Sequence, residues 1–220
     1  MQEEGVLPLL MEGIRFLKSR VFEFEKYYLY EMTLDEPVKF EPAPKMQDFI
    51  FEIVSTNQRI DELLADGFDF GIHGIRARKK LDKGALMFCI FIKKKLACVH
   101  WAAVTEEAKE IMVRVPSKVD FLSNEVYLGW SETIPEYRKL GFSQYLISEK
   151  LKLFAKMGKT TGKWTVVKSN AASNELTIKI GARIYGEGRY LNILKWKSWK
   201  ERPLVHEARQ PRSDKVTEVR

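Results

Sequence analysis

The pattern that most constrains this chain is helical and begins at a glycine. Ile147, Leu151 and Phe154 fall at i, i+4 and i+7, flanked by Leu146, Leu153 and Met157, in the stretch between Gly141 and Gly158. That spacing predicts an amphipathic helix of about 17 residues, one face of which must be buried on another element. The residues before it are β-rich. Ala85 to Ile92 and Leu96 to Val104, separated by Lys93-Lys94-Lys95, read as a hairpin, and Val126 to Thr133 as a further strand ending at Pro135. After the helix, Trp164 to Val167 reads as a buried strand, Asn170 to Ile180 as a short helix stopped by Gly181, and Ile184 to Trp196 as a last strand or hairpin. Strands and helices alternate, so the chain falls in the α/β class with a mixed sheet.

Earlier segments give weaker patterns. Val21 to Met32 reads as one or two short strands, Phe49 to Val54 as a strand, Arg59 to Ala65 and Ile72 to Leu81 as helices, and Glu110 to Val115 as an edge strand. With 220 residues, 45% of them hydrophobic, one core suffices. At this size roughly 70% of the unfolded surface can be buried without disulfides or a structural metal. Cys89 and Cys98 do not form a C-x-x-C pair, and three histidines make no ligand cluster of zinc-site spacing, so no metal is expected. The most apolar stretch, Ala85 to Ile92, is far short of the ~20 residues that span a bilayer. The start, MQEEG, is acidic where a signal peptide would be basic. A soluble, cytoplasmic protein without a membrane partner is expected. Residues 1–45 are expected to pack on the domain as an N-terminal extension, 46–202 to form the domain, and 203–220 to be a tail.

The formal charge is +7, from 37 Lys and Arg against 30 Asp and Glu. Arg138, Lys139, Lys150, Lys152, Lys156, Lys159, Lys163 and Lys168 face only Glu149 between Tyr137 and Lys168, so this segment carries the whole excess. A solvated lysine-rich helix face explains part of it. An anion site at Arg138 is the sharper reading, because a helix N-terminus offers unpaired N–H groups and a partial positive charge, and Gly141 lets a ligand approach the backbone. Gly158-Lys159-Thr160-Thr161-Gly162-Lys163-Trp164 is not a P-loop. Its glycines are too close, Trp164 stands where a hydroxyl is needed, and the order is helix then strand.

Arg138-Lys139-Leu140-Gly141-Phe142-Ser143 resembles the R/Q-x-x-G-x-G/A pyrophosphate loop of the GCN5-related N-acetyltransferase (GNAT) superfamily. Downstream, Val166 to Ser173 and Lys179-Ile180-Gly181-Ala182 are similar to that family's strand, N-x-x-S helix and K-x-G-F/A turn. The match covers about Glu125 to Trp196, the first 45 residues lying outside it. This resemblance implies a GNAT acyl-CoA N-acyltransferase fold, with a mixed, mostly antiparallel central sheet and helices on both faces. It implies acetyl-CoA as cosubstrate, an amine acceptor, and no metal or nucleic acid. Pantetheine would bond the Glu132-Thr133 backbone in a gap beside the fourth strand. Arg138 and Lys139, with the N–H groups of Leu140, Gly141, Phe142 and Ser143, would hold the pyrophosphate. Asn170 and Ser173 would contact the rest of the cofactor, although Asn170 equally suits a helix cap.

The resemblance also exposes a gap in the catalytic set. Thr177 stands where many members have the tyrosine that protonates the leaving thiolate, and a threonine hydroxyl is too weak an acid for that. Tyr185 is a substitute. Glu132, at the end of the motif strand, is the candidate general base, against the plain alternative of an exposed strand glutamate. Cys98 and His100 share a strand face and read as packing residues ahead of a nucleophilic pair. An acetyltransferase acting by direct attack in a ternary complex, and a degenerate module that binds acyl-CoA as a sensor or scaffold, both stay open. The N-terminal segment is left between an acceptor-pocket wall and a homodimer contact.

Overall fold

The computed structural model describes residues 22–34, 41–194 and 196–204. Its strands are β1 (Phe22–Thr33), β2 (Ile50–Val54), β3 (Ala85–Ile92), β4 (Lys95–Ala103), β5 (Glu125–Tyr127), β6 (Ser131–Thr133), β7 (Thr161–Val167), β8 (Arg183–Ile193) and β9 (Trp196–Pro203). Its helices are α1 (Asn57–Ala65), α2 (Ile72–Leu81), α3 (Glu106–Met112), α4 (Phe142–Lys156) and α5 (Ala171–Lys179). The strands form one sheet in the order β2-β3-β4-β5-β7-β1-β8-β9, with β6 also on β4. Only β5 and β7 pair in parallel, so the sheet is mixed and mostly antiparallel. Helices cover both faces. Phe88, on one side of β3, meets Phe154 of α4, while Met87 pairs with Trp101, whose ring lies under Lys80 of α2. Among the described residues no helix is long and apolar enough to cross a membrane.

The structure departs from the sequence reading in four places. Residues 22–34 are no appended extension, because β1 is one long strand running between β7 and β8. Its poor alternation follows from cover on both faces: Leu29 and Tyr30, neighbours in sequence, are both buried. Residues 1–21 of that proposed extension lie outside the described residues. At the other end, the expected tail overlaps β9, where Pro203 closes an edge strand, a position that needs no N–H. Residues 205–220 are outside the described set. Glu110 to Val115 is not an edge strand, since the chain from Glu106 to Met112 is helical. Thr105 caps that helix through its hydroxyl, which accepts from Ala108 N, and Glu106 and Glu107 sit in the positive first turn. Finally, the single strand expected from Val126 to Thr133 is broken into β5 and β6.

A buried side chain ties the centre of the sheet to α5. Asn174 Nδ2 donates to Val167 O, Lys168 O and Asn170 O at 2.9–3.2 Å, and its Oδ1 accepts from Tyr30 Oη at 2.9 Å. Asn174→Ala would strip the Tyr30 hydroxyl and Lys168 O of their partner, while Val167 O keeps Asn170 N and Asn170 O keeps the backbone N–H of position 174. Urea unfolding should show a loss of about 1–3 kcal/mol, the cost of stranding buried polar groups.

Candidate functional site

The break between β5 and β6 builds the site. Strand β4 pairs Ala103 with Tyr127 and His100 with Ser131, so two residues on β4 face three, Leu128 to Trp130, on the other chain. One extra residue makes a bulge, and a bulged strand bends. Leu128 N still donates to Lys163 O at 2.8 Å. Beyond that bond β6 follows β4 while β7 follows β1, and the two part. Trp101 N donates to Trp130 O and Ile134 N to Ala97 O, which places Glu132, at the same ladder phase, against Val99. By strand alternation the N–H and C=O groups of Ser131 and Thr133 turn into the gap. On the far lip Lys168 N donates to Lys26 O, so the even positions of β7 bond β1, and Thr165 and Val167 face the gap. Neither Gly129 N nor Trp130 N has an acceptor among the described residues. At Gly129 the space a Cβ would take is filled by Met112 Cε, the end of a flexible side chain.

The gap opens toward the N-terminus of α4. Tyr145 N is the first amide of that helix to find a carbonyl, Gly141 O, so the N–H groups of Phe142, Ser143 and Gln144 have no acceptor among the described residues. Gly141 has φ +87°, and Lys139 before it also has positive φ, 63°. Together the gap and the helix end form a cleft of about 580 Å³, lined by Tyr127 to Ser131 from the bulge, Trp164 to Val167 from β7, Ser143, Ile147 and Lys150 from α4, and Ser173 and Thr177 from α5. A concave site with polar backbone on both lips and a helix N-terminus at one end suits an extended, amide-containing ligand that ends in phosphate.

The sequence matches no family model and no curated protein. Solved structures do match it. A tandem GNAT protein from the clavulanic acid biosynthesis pathway superposes with a TM-score of 0.52 at 9% identity, over 91% of this chain and 59% of its own. A GCN5-related N-acetyltransferase from Sphaerobacter thermophilus gives 0.50 at 12%, over 87% and 56%. A Drosophila protein gives 0.51 at 12%, over 85% and 58%. The fold is that of the GNAT proteins. At these identities the likeness is one of fold, and the chain spans less than three fifths of each of these structures.

On this GNAT scaffold the residues singled out from sequence divide. Arg138 Nε donates to Thr133 O at 3.2 Å, bridging the loop back to β6. Gly141 serves a second purpose, since Ala43 and Pro44 lie over it. A Cβ there would stand 3.4 Å from Pro44 Cα, and Lys45 N donates to Leu140 O. Phe142 is buried against Phe49, so only its N–H is free for a ligand. Ser143 Oγ lies 3.0 Å from His100 Nε2. Asn170 and Ser173 line the cleft, but Asn170 Oδ1 caps α5 by accepting from Ser173 N, the second of the two roles its sequence position suits. Thr133 Oγ1 contacts Cys98 Sγ at 3.2 Å, while its backbone faces the gap. Glu132 turns to the opposite face, with Oε2 3.8 Å from His73 Nε2, and its backbone is consumed by β4 rather than offered to a ligand. Tyr185 is not among the residues lining the cleft. Burial, then Glu201, Glu31 and Glu125, push its phenol up, making it a poorer acid.

The basic segment does not form one anion-facing stripe. Lys152 pairs with Glu149 and Glu41, Lys163 with Glu125, and Lys168 with Glu187. Two groups missed in the sequence reading stand at the cleft instead. Gly129 within a strand pattern is itself a bulge signal. Lys150, on the apolar face of α4 at i+7 from Ser143, is 4% exposed and lines the cleft. Burial pushes its ammonium down from 10.5 to about 7. His100 beside it is held well below its usual range, by burial and then by Lys150, and is neutral. Its Nδ1 has no partner among the described residues. A bare acceptor is a lesser cost than an orphan N–H. The tautomer protonated on Nε2 avoids an orphan N–H at Nδ1; in it the ring donates to Ser143 Oγ and the serine hydrogen is free for the cleft.

Lys150 sets a pH dependence of stability. Unfolded, a lysine keeps its proton to about pH 10.5, whereas the folded group releases it near 7. Between those values the unfolded chain binds more protons, so stability rises with pH from about 7 toward 10, and below 7 the full cost of the buried charge is present. Denaturant titrations should show this rise in the wild type and not in Lys150→Met. That variant should be the more stable at pH 6, by a few kcal/mol, since each tenfold change in proton affinity is worth about 1.4 kcal/mol.

Proposed function

We propose that this chain is an acetyl-CoA-dependent N-acetyltransferase that joins an acetyl group to a primary amine by direct attack in a ternary complex. The carrying observation is the parting of β6 from β7, with backbone N–H groups turned to the gap from both lips and a free helix N-terminus at one end. Ser131, Thr133, Thr165 and Val167 would bond the amides of the pantetheine arm. The N–H groups from Leu140 to Ser143, with Lys139 and the free guanidinium edge of Arg138, would hold the pyrophosphate, and Ser173 would line its path. Acetyl-CoA supplies an activated thioester. The Gly129 or Trp130 N–H, pointing from the bulge, would polarise its carbonyl, and orientation would supply much of the rate.

Glu132 is the candidate base. It stands with His73 and Trp130 on the face opposite α4, where an amine could enter without displacing the cofactor. Burial lowers the His73 pKa, Glu132 opposing, so the imidazole stays neutral and leaves the carboxylate free to take a proton. Tyr185 has no part in this reading. The two free thiols, Cys89 and Cys98, are buried and suit a reducing compartment, and we place the reaction in the cytoplasm. The second reading, a module that binds acyl-CoA without turnover, draws on Thr177. That residue is buried and its hydroxyl accepts from Trp164 Nε1 at 3.3 Å, leaving no acid at the family's usual position.

Calorimetry with acetyl-CoA is the test. A Gly141 substitution would be ambiguous, because at φ +87° any side chain strains the backbone of the loop itself. The double charge reversal Arg138→Glu/Lys139→Glu is cleaner. Wild type should bind with micromolar affinity that weakens as salt rises, and the double variant should bind at least about tenfold more weakly, with a flatter salt response. Binding by folded wild type with thiol release on addition of a panel of primary amines supports the enzyme. Binding without release for any amine supports the sensor. No binding overturns both.

A further inference from the structure

Lys150 has no role in the chemistry above, yet its setting is unusual. Ser143, Ile147 and Lys150 occupy one face of α4 at i, i+4 and i+7, and all three line the cleft. At about 1.5 Å of rise per residue the stripe runs some 10 Å, from the free N–H groups at the helix start to the cleft floor. A chain laid along it with phosphate at the helix N-terminus brings its far end toward Lys150. No carboxylate lines the cleft among the described residues. The titratable or charged groups that face it are Cys98 and His100 from β4, Tyr127 from β5, Tyr27 from β1 and Arg114 from the loop after α3. His100 is neutral, and burial pushes the Cys98 thiol up to about 11. The amine therefore sits without an anionic partner.

We propose that Lys150 donates the proton taken up by the departing thiolate, filling the role that Thr177 cannot. This rests on the N-acetyltransferase reading. The acceptor nitrogen bonds to the acyl carbon, the carbon–sulfur bond breaks, and the sulfur's electron pair takes a proton from Lys150 Nζ. The proton lost by the acceptor nitrogen passes to Glu132 and water, and Nζ regains one from solvent. Amine and thioester go in, amide and thiol come out. Burial that brings the ammonium near neutrality suits it to give up a proton at the working pH. The thiolate would be the first negative charge to reach it.

The test needs no acceptor. Coenzyme A itself is bound to wild type, Lys150→Met and Lys150→Gln, and its thiol is titrated from pH 6 to 10 by the ultraviolet absorbance of the thiolate. Thermal melting confirms folding, and the two variants guard against one failing to fold. Bound to wild type, the thiol should ionise at a pH lower by at least about one than free coenzyme A, roughly a tenfold stabilisation of the thiolate, and both variants should lose this difference. Equal titration in wild type and variants, with all of them binding, overturns the role of Lys150 and leaves the acetyltransferase reading standing. Failure of folded wild type to bind coenzyme A overturns that reading and this one with it.

Discussion

One extra residue between Tyr127 and Ser131 governs the rest of this molecule. Had β5 and β6 been a single regular strand, β4 and β7 would both be satisfied along their length and the sheet would close. The bulge turns the chain after the Leu128–Lys163 bond, and the sheet opens into two lips. Backbone N–H and C=O groups inside a fold are nearly always paired. Across the gap Thr133 O is met by Arg138 Nε and Val167 O by Asn170 N and Asn174 Nδ2, which leaves the N–H groups turned inward from the two lips for an extended ligand with its own carbonyls. The Met112 side chain packs onto the bulge, in the space that Gly129 leaves.

Electrostatics then give the gap a direction. One end is the start of α4, with free N–H groups, Lys139 and a tethered Arg138. The other is Lys150, a cation kept from water and from carboxylates. On the proposed function, one end would meet the permanent charge of a phosphate and the other the charge that develops on sulfur. The remaining lysines of the basic segment are largely spent in ion pairs along β7 and α4. Net charge was thus a poor guide to where an anion would sit.

Helix α4, the β3–β4 hairpin and α5 were legible because each is written in local terms: a 3.6-residue apolar period, two β-rich runs around three lysines, a capping asparagine before a glycine stop. The glycine turn into α4 at Gly141 was legible for the same reason. Strand β1 was not. A central strand covered on both faces loses its alternation, and its partners lie over a hundred residues away, so nothing local marks its place. Helix α3 was missed because Ile111, Met112 and Val113 look like a strand, while Thr105 and two glutamates set the helix. Lys150 could have been found as the one charge on the buried face of α4. Tyr185 could not have been placed, because which residues line the cleft is a matter of strand order, β8 being separated from β5 by β7 and β1.

The central claim is that the gap is the seat of an extended ligand. Residue-resolved hydrogen exchange with and without acetyl-CoA measures this directly. Ser131, Thr133, Thr165 and Val167, on opposite lips, should all gain protection with the helix-start amides of Phe142 and Ser143, while amides of the β8–β9 hairpin stay unchanged. Protection confined to the helix start would show phosphate binding without an occupied gap, and would contradict the account.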